Sequence, residues 1–235
     1  ALLRHASPVS SCSEHRRPMA RAARAYLLAY NSALSIGWAI ALGRVLSSCW
    51  SAKSLHGAYA SAGDLICFLQ TVSFLEVLHA AVGLVPSGMV LSLMQWGGRT
   101  HFLLAIVRRI AEVQELPSVF ITFVAWSISE VVRYSHYALT GMGFCPQWLI
   151  YLRYTAFILL YPIGVGPGEM WLIYQSLPFI KKENLYSNFF GSLHFSYHTF
   201  ITVLLLFYPL LWLKLYLHLF KQRRSKLGKR HAKKS

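Results

Sequence analysis

The chain has 235 residues, of which 55% are hydrophobic and only 13% are charged. This composition is too apolar for a soluble domain of that length and is typical of a polytopic membrane protein. The formal net charge of +15 raises the alternative of nucleic-acid binding. Basic tails attached to apolar spans far more often contact lipid headgroups and orient a protein, so we expect membrane lipid and no nucleic acid as a partner.

The first 18 residues are rich in Ser, Arg and His and show no periodicity. Met19 leads directly into the first apolar stretch and is a candidate native start, which makes residues 1–18 an upstream extension or a disordered segment. The basic N-terminal segment is predicted to span residues 1–24. A signal peptide is not predicted, because the apolar run is long and no small-residue cleavage site follows a short hydrophobic region.

Six apolar stretches follow, each near the roughly 20 residues that a helix needs to cross a bilayer. Their approximate bounds are 25–46, 63–86, 88–109, 116–139, 148–178 and 197–220. They predict an all-α polytopic membrane protein, with six transmembrane helices in one bundle over residues 25–220. A basic tail is predicted over residues 221–235.

The basic residues concentrate at the two ends of the chain. Five Lys or Arg residues precede residue 25, and eight follow residue 220. Because six spans place both ends on one side of the membrane, the positive-inside rule predicts cytosolic N and C termini. Five basic residues fall on the opposite side in this arrangement: Lys53, Arg108, Arg109, Lys181 and Lys182. No internal repeat is visible, which weakens the alternative of a proton-coupled carrier.

Charged residues inside the predicted spans are expected to pair with one another, because a lone charge at hydrocarbon depth is costly. The acidic ones are Asp64, Glu76, Glu130 and Glu169, and the basic or imidazole ones are Arg99, Arg133, Arg153, His79 and His101. Glu130 and Arg133 lie three residues apart on one helix face and are predicted to pair directly. We interpret a wider set as a supporting polar network: Glu130, Arg133, Tyr134, Tyr137, Arg153 and Tyr154.

The fifth apolar stretch carries a phenol and a carboxylate, Tyr161 and Glu169, on either side of a segment rich in glycine and proline, 162–168. Irregular backbone at membrane depth is tolerated only against protein or a wet cavity, so we expect both side chains to line a pocket. An intramembrane carboxylate is by default a hypothesis of function. The pair suits general acid/base chemistry, although the residues alone leave catalytic and structural roles evenly balanced.

No metal site or disulfide framework is predicted. The four cysteines show neither CxxC spacing nor a metal-ligand pattern. Two of them lie in or beside apolar stretches, where a thiol behaves as a small hydrophobic group.

Several sequence blocks resemble the 3-hydroxyacyl-CoA dehydratase family, also called the protein tyrosine phosphatase-like family. The blocks are Phe74-Leu-Glu-Val-Leu-His79, Trp126-Ser-Ile-Ser-Glu-Val-Val-Arg-Tyr134 with Tyr137, Leu152-Arg-Tyr154, Leu160-Tyr-Pro-Ile-Gly164, and Glu169 with Ile173-Tyr-Gln-Ser-Leu-Pro178. Together they cover most of the chain from Tyr26 to the basic tail, and the chain is identified as a plant-like member of this family.

The resemblance implies a multi-pass protein of the endoplasmic reticulum membrane that acts as a lyase in very-long-chain fatty-acid elongation. Such a lyase removes water from a (3R)-3-hydroxyacyl-CoA to give the trans-2-enoyl-CoA. The family's catalytic tyrosine and glutamate fall on Tyr161 and Glu169. Our hypothesis makes Glu169 the base and Tyr161 the acid, and it leaves two alternatives open: exchanged roles, or a Tyr161 that only orients the substrate. The resemblance implies no metal or organic cofactor, and it implies other elongation-cycle enzymes as partners.

Phosphatase chemistry is excluded by the residues themselves. A cysteine phosphatase needs a thiolate nucleophile and an arginine that binds phosphate further along the same loop. In the corresponding stretch Ala80 replaces the nucleophile and Pro86 replaces the arginine.

One residue more than the family pattern separates the two candidate catalytic groups. The family usually reads Tyr-Pro-x-Gly-x-x-x-Glu, whereas seven residues, 162–168, lie between Tyr161 and Glu169. On a continuous α-helix a separation of seven returns to within about 20° of the same face, but a separation of eight lands about 80° away. A bulge or wide turn near Pro167 would absorb the extra residue. The insertion also favours an alternative, a catalytically impaired homologue that acts as a membrane scaffold for elongation enzymes.

Overall fold

The computed structural model describes residues 21–85, 88–193 and 195–231. Within these ranges the chain forms eleven α-helices, two π-helical segments and one short 3-10 turn. The α-helices are α1 (Arg21–Ala52), α2 (Ala58–Val72), α3 (Leu75–Ala81), α4 (Met89–Thr100), α5 (Ala111–Gln114), α6 (Pro117–Gly141), α7 (Gln147–Arg153), α8 (Phe157–Ile163), α9 (Trp171–Lys182), α10 (Ser187–Phe190) and α11 (Tyr197–His231). The π-helical segments are His101–Val107 and Gly164–Met170, and the 3-10 turn is Gly191–Leu193.

The long helices pack against one another in one bundle, with α6 at its centre. Helices α1 and α6 pack most extensively. They run antiparallel, since Ser35 bonds Ser135 at 2.7 Å while Gly57, in the loop after α1, bonds Glu115, in the loop before α6. The start of α1 and the end of α11 lie at the same end of the bundle. Three contacts link them through the end of α6 and the segment around α7: Tyr30 with Tyr134, Tyr137 with Arg153, and Thr155 with Arg223.

Among the described residues, four helical stretches are long and apolar enough to cross a membrane: Arg21–Ala52, Ala58–Ala81, Gln147–Lys182 and Tyr197–Leu227. They correspond to the first, second, fifth and sixth predicted spans. The third and fourth predicted spans are helical, but neither meets the same criterion of length and hydropathy. The fourth is α6, the central helix, which carries the charged residues Glu130 and Arg133. Six spans therefore remain a prediction.

The core lies where α1, α2, α6, α9 and the first π-helical segment meet. Its largest fully buried side chains include Trp38, Phe123, Tyr134 and Leu172. By contrast, α11 exposes large apolar side chains along much of its length, for example Leu206 at 72% exposure. An apolar outer surface of this kind suits contact with lipid, where helix association depends on close packing rather than on exclusion of water.

The two predicted terminal segments merge into helices in the part that the structure describes. Residues 21–24, assigned from sequence to the N-terminal segment, belong to α1. The basic tail predicted from residue 221 continues α11 as far as His231. Residues 1–18, the candidate start at Met19 and the last residues of the tail lie outside the described residues.

A network of partly buried ion pairs, with the buried Glu130 at its centre, joins α3, α4 and α6. Arg133 donates through Nη1 and Nη2 to the Glu76 carboxylate at 2.8 and 3.0 Å, and through Nε to Glu130 at 2.7 Å. The pair between Glu130 and Arg133 is the one expected from their spacing. The Tyr134 hydroxyl also donates to Glu76, and Arg99 of α4 donates through Nη1 to Glu130. Each short helix is thereby fixed against the long central one.

We predict that Arg133→Leu destabilises the protein by about 3 kcal/mol or more, because removing one partner of a buried pair leaves uncompensated charge. The apparent unfolding midpoint of the purified protein in detergent measures this effect. Arg108→Leu is the matched control, since Arg108 and Asp64 form an exposed pair at 3.6 Å that contributes less than about 1 kcal/mol. Equal falls in the unfolding midpoint of the two variants would contradict a larger contribution of the Arg133 network to stability.

Candidate functional site

Glycines bring the second π-helical segment into close contact with α6. A Cβ atom on Gly168 would lie 2.7 Å from Thr122 Oγ1, and one on Gly164 would lie 3.1 Å from the Ala125 Cβ atom. Thr122 is fully buried and its hydroxyl already donates to the Ser118 carbonyl oxygen at 2.8 Å, so it has little room to move. Residues without side chains are therefore needed where the two backbones meet.

The π-helix absorbs the extra residue between the two predicted catalytic groups. In a π-helix each N–H bonds the carbonyl five residues back, so each residue turns the chain through a smaller angle than the roughly 100° of an α-helix. Eight residues that include the Gly164–Met170 segment thus return toward the face on which they began. Tyr161 and Glu169 lie within range of an electrostatic interaction with each other.

Glu169 is buried, with 7% of its surface exposed, and both of its oxygens accept hydrogen bonds. Trp126 Nε1 of α6 donates to Oε1 at 2.7 Å. The Tyr208 hydroxyl of α11 donates to Oε2. The carboxylate is therefore turned inward, and neutral donors from two other helices hold it in one orientation.

Tyr161 does not bond Glu169 directly. In the part of the chain that the structure describes, no hydrogen bond joins the Tyr161 hydroxyl to the Glu169 carboxylate, and the Tyr161 ring stacks on Tyr216 with centroids 6.1 Å apart. Tyr161 interacts electrostatically with both Glu169 and Tyr208. The site therefore contains two phenols around one carboxylate, and the phenol in direct contact is Tyr208.

Arg99 connects this carboxylate to the buried ion pairs. Its guanidinium carbon lies 4.0 Å from the centroid of the Trp126 ring, a cation–π distance. The same guanidinium group donates to Glu130. Trp126 thus has a cation on its face and the Glu169 carboxylate at its N–H edge.

The polar network predicted from sequence divides into two clusters. Glu130, Arg133 and Tyr134 lie in the buried ion network with Glu76. The other three predicted members, Tyr137, Arg153 and Tyr154, gather near the end of the bundle, where the Arg153 guanidinium carbon lies 5.9 Å from the centroids of both tyrosine rings. The separation follows from helix geometry, because Tyr137 lies one turn beyond Arg133 toward the end of α6.

Two residues of the site received no role from the sequence. Tyr208 stands in an apolar stretch without a charged neighbour, and its only local signal is a phenol inside a predicted span. Trp126 opens one of the quoted family blocks, but its spacing indicates no partner. Both reach Glu169 through contacts between distant segments.

Two surface grooves, of about 680 and 730 Å³, are lined by residues other than Tyr161 and Glu169. The first lies between α5, α9 and the start of α11, and its lining includes Glu112, Tyr174, Lys181 and His198. The second lies at the end of α1. The pocket expected around Tyr161 and Glu169 stays a prediction.

Residues 70–229 match the family described as Protein tyrosine phosphatase-like protein, PTPLA. Over 209 residues, covering 88% of this chain and 82% of the relative, the chain is 36% identical to very-long-chain (3R)-3-hydroxyacyl-CoA dehydratase 2 of Mus musculus. The same protein of Homo sapiens is 35% identical with the same coverage.

A plant relative gives a similar result over a shorter range. The chain is 38% identical over 165 residues to very-long-chain (3R)-3-hydroxyacyl-CoA dehydratase PASTICCINO 2A of Oryza sativa, covering 69% of this chain and 73% of the relative. No solved structure matches the chain.

We predict that Gly168→Ala lowers stability by about 1–3 kcal/mol, because the added methyl group meets the buried Thr122. Gly166→Ala is the matched control in the same π-helix, since its Cβ atom would meet nothing within 4 Å. The control should be neutral or slightly stabilising, as alanine is the better helix former. Unfolding midpoints of the two variants measure the difference, and a larger loss at Gly166 than at Gly168 would contradict the packing described here.

Proposed function

The chain belongs to the protein tyrosine phosphatase-like family, and we propose that it is a lyase of very-long-chain fatty-acid elongation. Its substrate is a (3R)-3-hydroxyacyl-CoA, and its products are the trans-2-enoyl-CoA and water. The relatives carry the name of this activity. The observation that carries the proposal is a buried carboxylate, Glu169, with both oxygens held by neutral donors and two phenols beside it.

Dehydration requires a base for the C2 proton and an acid for the departing hydroxyl group. Glu169 takes the proton from C2, the electron pair forms the C2–C3 double bond, and the C3–O bond breaks. Tyr161 gives its phenolic proton to the 3-hydroxyl group, which leaves as water. Trp126 and Tyr208 fix the carboxylate, so that little reorganisation is needed at the moment of reaction.

After one turnover Glu169 holds a proton and Tyr161 lacks one, so the proton must return before the next cycle. We assign this transfer to Tyr208, whose hydroxyl donates to the Glu169 carboxylate and which lies within range of the charge on Tyr161. Tyr208 can therefore pass one proton to Tyr161 while it receives another from Glu169. The transfer restores both catalytic groups.

The enzyme is a dehydratase rather than a phosphatase, in agreement with the names of its relatives and with Ala80 at the position of the phosphatase nucleophile. The thioester already acidifies C2, so the chemistry calls for no further electrophile from a metal or organic cofactor. The acyl chain occupies space between apolar helices.

We propose a membrane arrangement with six spans and cytosolic N and C termini, in the endoplasmic reticulum. The contact between Thr155 and Arg223, which brings the end of α11 beside the start of α8, supports a common position of the two ends of the bundle. The phosphates of the CoA group then meet basic residues at the cytosolic face, among them Arg153 and Arg223.

Other enzymes of the elongation cycle act as partners, because they supply the substrate and consume the product.

The alternative of a non-catalytic scaffold takes its support from the extra residue before Glu169. That residue lies in a π-helix that leaves Glu169 buried and bonded, which favours the enzyme. Complementation of a dehydratase-deficient cell separates the two functions. Rescue that depends on Glu169 indicates catalysis, whereas rescue that is indifferent to Glu169 indicates a scaffold.

We predict that Glu169→Gln lowers kcat at least 1,000-fold and Tyr161→Phe at least 100-fold, on the order expected when the base or the acid is lost. Tyr208→Phe should lower kcat by roughly 10- to 100-fold, because the carboxylate loses one orienting donor. Purified protein in lipid nanodiscs, assayed with a long-chain (3R)-3-hydroxyacyl-CoA, gives these values. Trp148→Phe is a control at an exposed position away from the site.

Each variant should keep an unfolding midpoint close to that of the unsubstituted protein. A loss of turnover then reports a loss of chemistry and not a loss of structure. Turnover by Glu169→Gln within tenfold of the unsubstituted protein would exclude Glu169 as the base. A larger loss in Tyr208→Phe than in Tyr161→Phe would exchange the roles of the two phenols and would leave the dehydratase assignment in place.

A further inference from the structure

We infer that Arg99 binds the thioester carbonyl oxygen of the substrate and stabilises the negative charge that develops there when C2 loses its proton. This inference rests on the proposed dehydratase function and assigns it a further catalytic residue.

Arg99 has donors that the protein leaves unused. Nη1 donates to Glu130, whereas Nε and Nη2 are buried and have no hydrogen-bond partner in the described structure. Buried donors without partners are rare, because each one costs free energy unless something accepts its proton. Nε and Nη2 form one edge of the planar guanidinium group, so the unused donors make a two-pronged fork.

Arg133 provides the contrast within the same network. It shares Glu130 with Arg99, but Nε, Nη1 and Nη2 of Arg133 all donate to Glu130, Glu76 or Tyr134. A guanidinium group that only stabilises the fold has its donors satisfied in this way. Arg99 has the ion pair that fixes its orientation and keeps two donors for a ligand.

The position of Arg99 directs these donors to the catalytic centre. Its guanidinium group lies on the face of Trp126, whose N–H bonds Glu169. Arg99 also interacts electrostatically with Glu169, Tyr161 and Tyr208. The charge of Arg99 therefore acts on each of the three groups to which the proposed mechanism gives a proton-transfer role, and Trp126 joins Arg99 to the carboxylate.

The reaction calls for a hydrogen-bond donor at the thioester carbonyl oxygen. When a base removes the C2 proton of a thioester, negative charge passes from C2 to the carbonyl oxygen. A guanidinium fork can donate two converging hydrogen bonds to one carbonyl oxygen, and it remains charged throughout the reaction. Loss of one such donor from an oxyanion site typically lowers kcat by about 100- to 1,000-fold.

The test compares Arg99→Lys with Arg133→Lys in nanodiscs. Each lysine keeps a positive charge next to Glu130, but the Nε and Nη2 fork is lost only in the first variant. We expect Arg99→Lys to lower kcat about 100-fold or more, with a smaller fall in the unfolding midpoint than in Arg133→Lys. Arg133→Lys should show the reverse, a larger fall in midpoint and less than a tenfold change in kcat.

A second measurement follows the carbonyl group itself in the unsubstituted protein. A saturated acyl-CoA labelled with ¹³C at the thioester carbonyl binds without reacting, and its infrared band reports the hydrogen bonds that the oxygen accepts. We expect the band to move to lower wavenumber on binding and to move less in Arg99→Lys. A thioether analogue without this oxygen should bind about tenfold more weakly than the thioester, and Arg99→Lys should remove that difference.

The outcomes separate this inference from the proposed function. If the unsubstituted protein neither binds acyl-CoA nor dehydrates the hydroxyacyl substrate, the proposed function fails. If it is active while Arg99→Lys keeps kcat within tenfold and an unchanged carbonyl band, only the role of Arg99 fails. If Arg99→Lys does not fold, the unsubstituted protein still decides the question. The carbonyl band of the bound acyl-CoA would then overturn the inference if it lay at the wavenumber that it has in an apolar solvent, where the oxygen accepts no hydrogen bond.

Discussion

The structure depends on one requirement, that a carboxylate buried among apolar helices must have its oxygens bonded. An unpaired carboxylate at hydrocarbon depth is costly, and Glu169 meets the requirement with Trp126 from α6 and Tyr208 from α11. Three segments far apart in sequence must therefore converge on one side chain. The same contacts that lower the cost of burial also fix the direction in which the carboxylate faces, which is what a general base needs.

The buried ion pairs extend this requirement through the rest of the bundle. Glu76, Arg133, Glu130 and Arg99 form a continuous chain of charges that ties α3 and α4 to the central helix. The chain ends on the face of Trp126, so the group that stabilises helix packing also positions a donor to Glu169. Packing and chemistry therefore meet at Arg99, which belongs to the ion pairs and lies against the ring that bonds Glu169.

Local patterns in the sequence were sufficient for the helical class, for the four apolar stretches that match candidate spans and for the ion pair between Glu130 and Arg133. They also located Tyr161 and Glu169 on one interrupted segment, which the structure resolves as a π-helix. Trp126 and Tyr208 were beyond such reasoning, because they lie 43 and 39 residues from Glu169 and no period connects them to it. The spare donors of Arg99 were equally invisible, since only coordinates show which hydrogen bonds a side chain leaves unmade.

The most direct measurement is a cryo-EM structure of the Glu169→Gln variant, which we expect to be inactive, with a bound (3R)-3-hydroxyacyl-CoA in a nanodisc. We predict that C2 of the substrate lies about 3–3.5 Å from the side chain of residue 169, at the separation of groups poised to react. The 3-hydroxyl group should lie within hydrogen-bond reach of Tyr161. A substrate bound elsewhere, for instance in the groove beside Tyr174 and Lys181, with C2 far from residue 169, would contradict it.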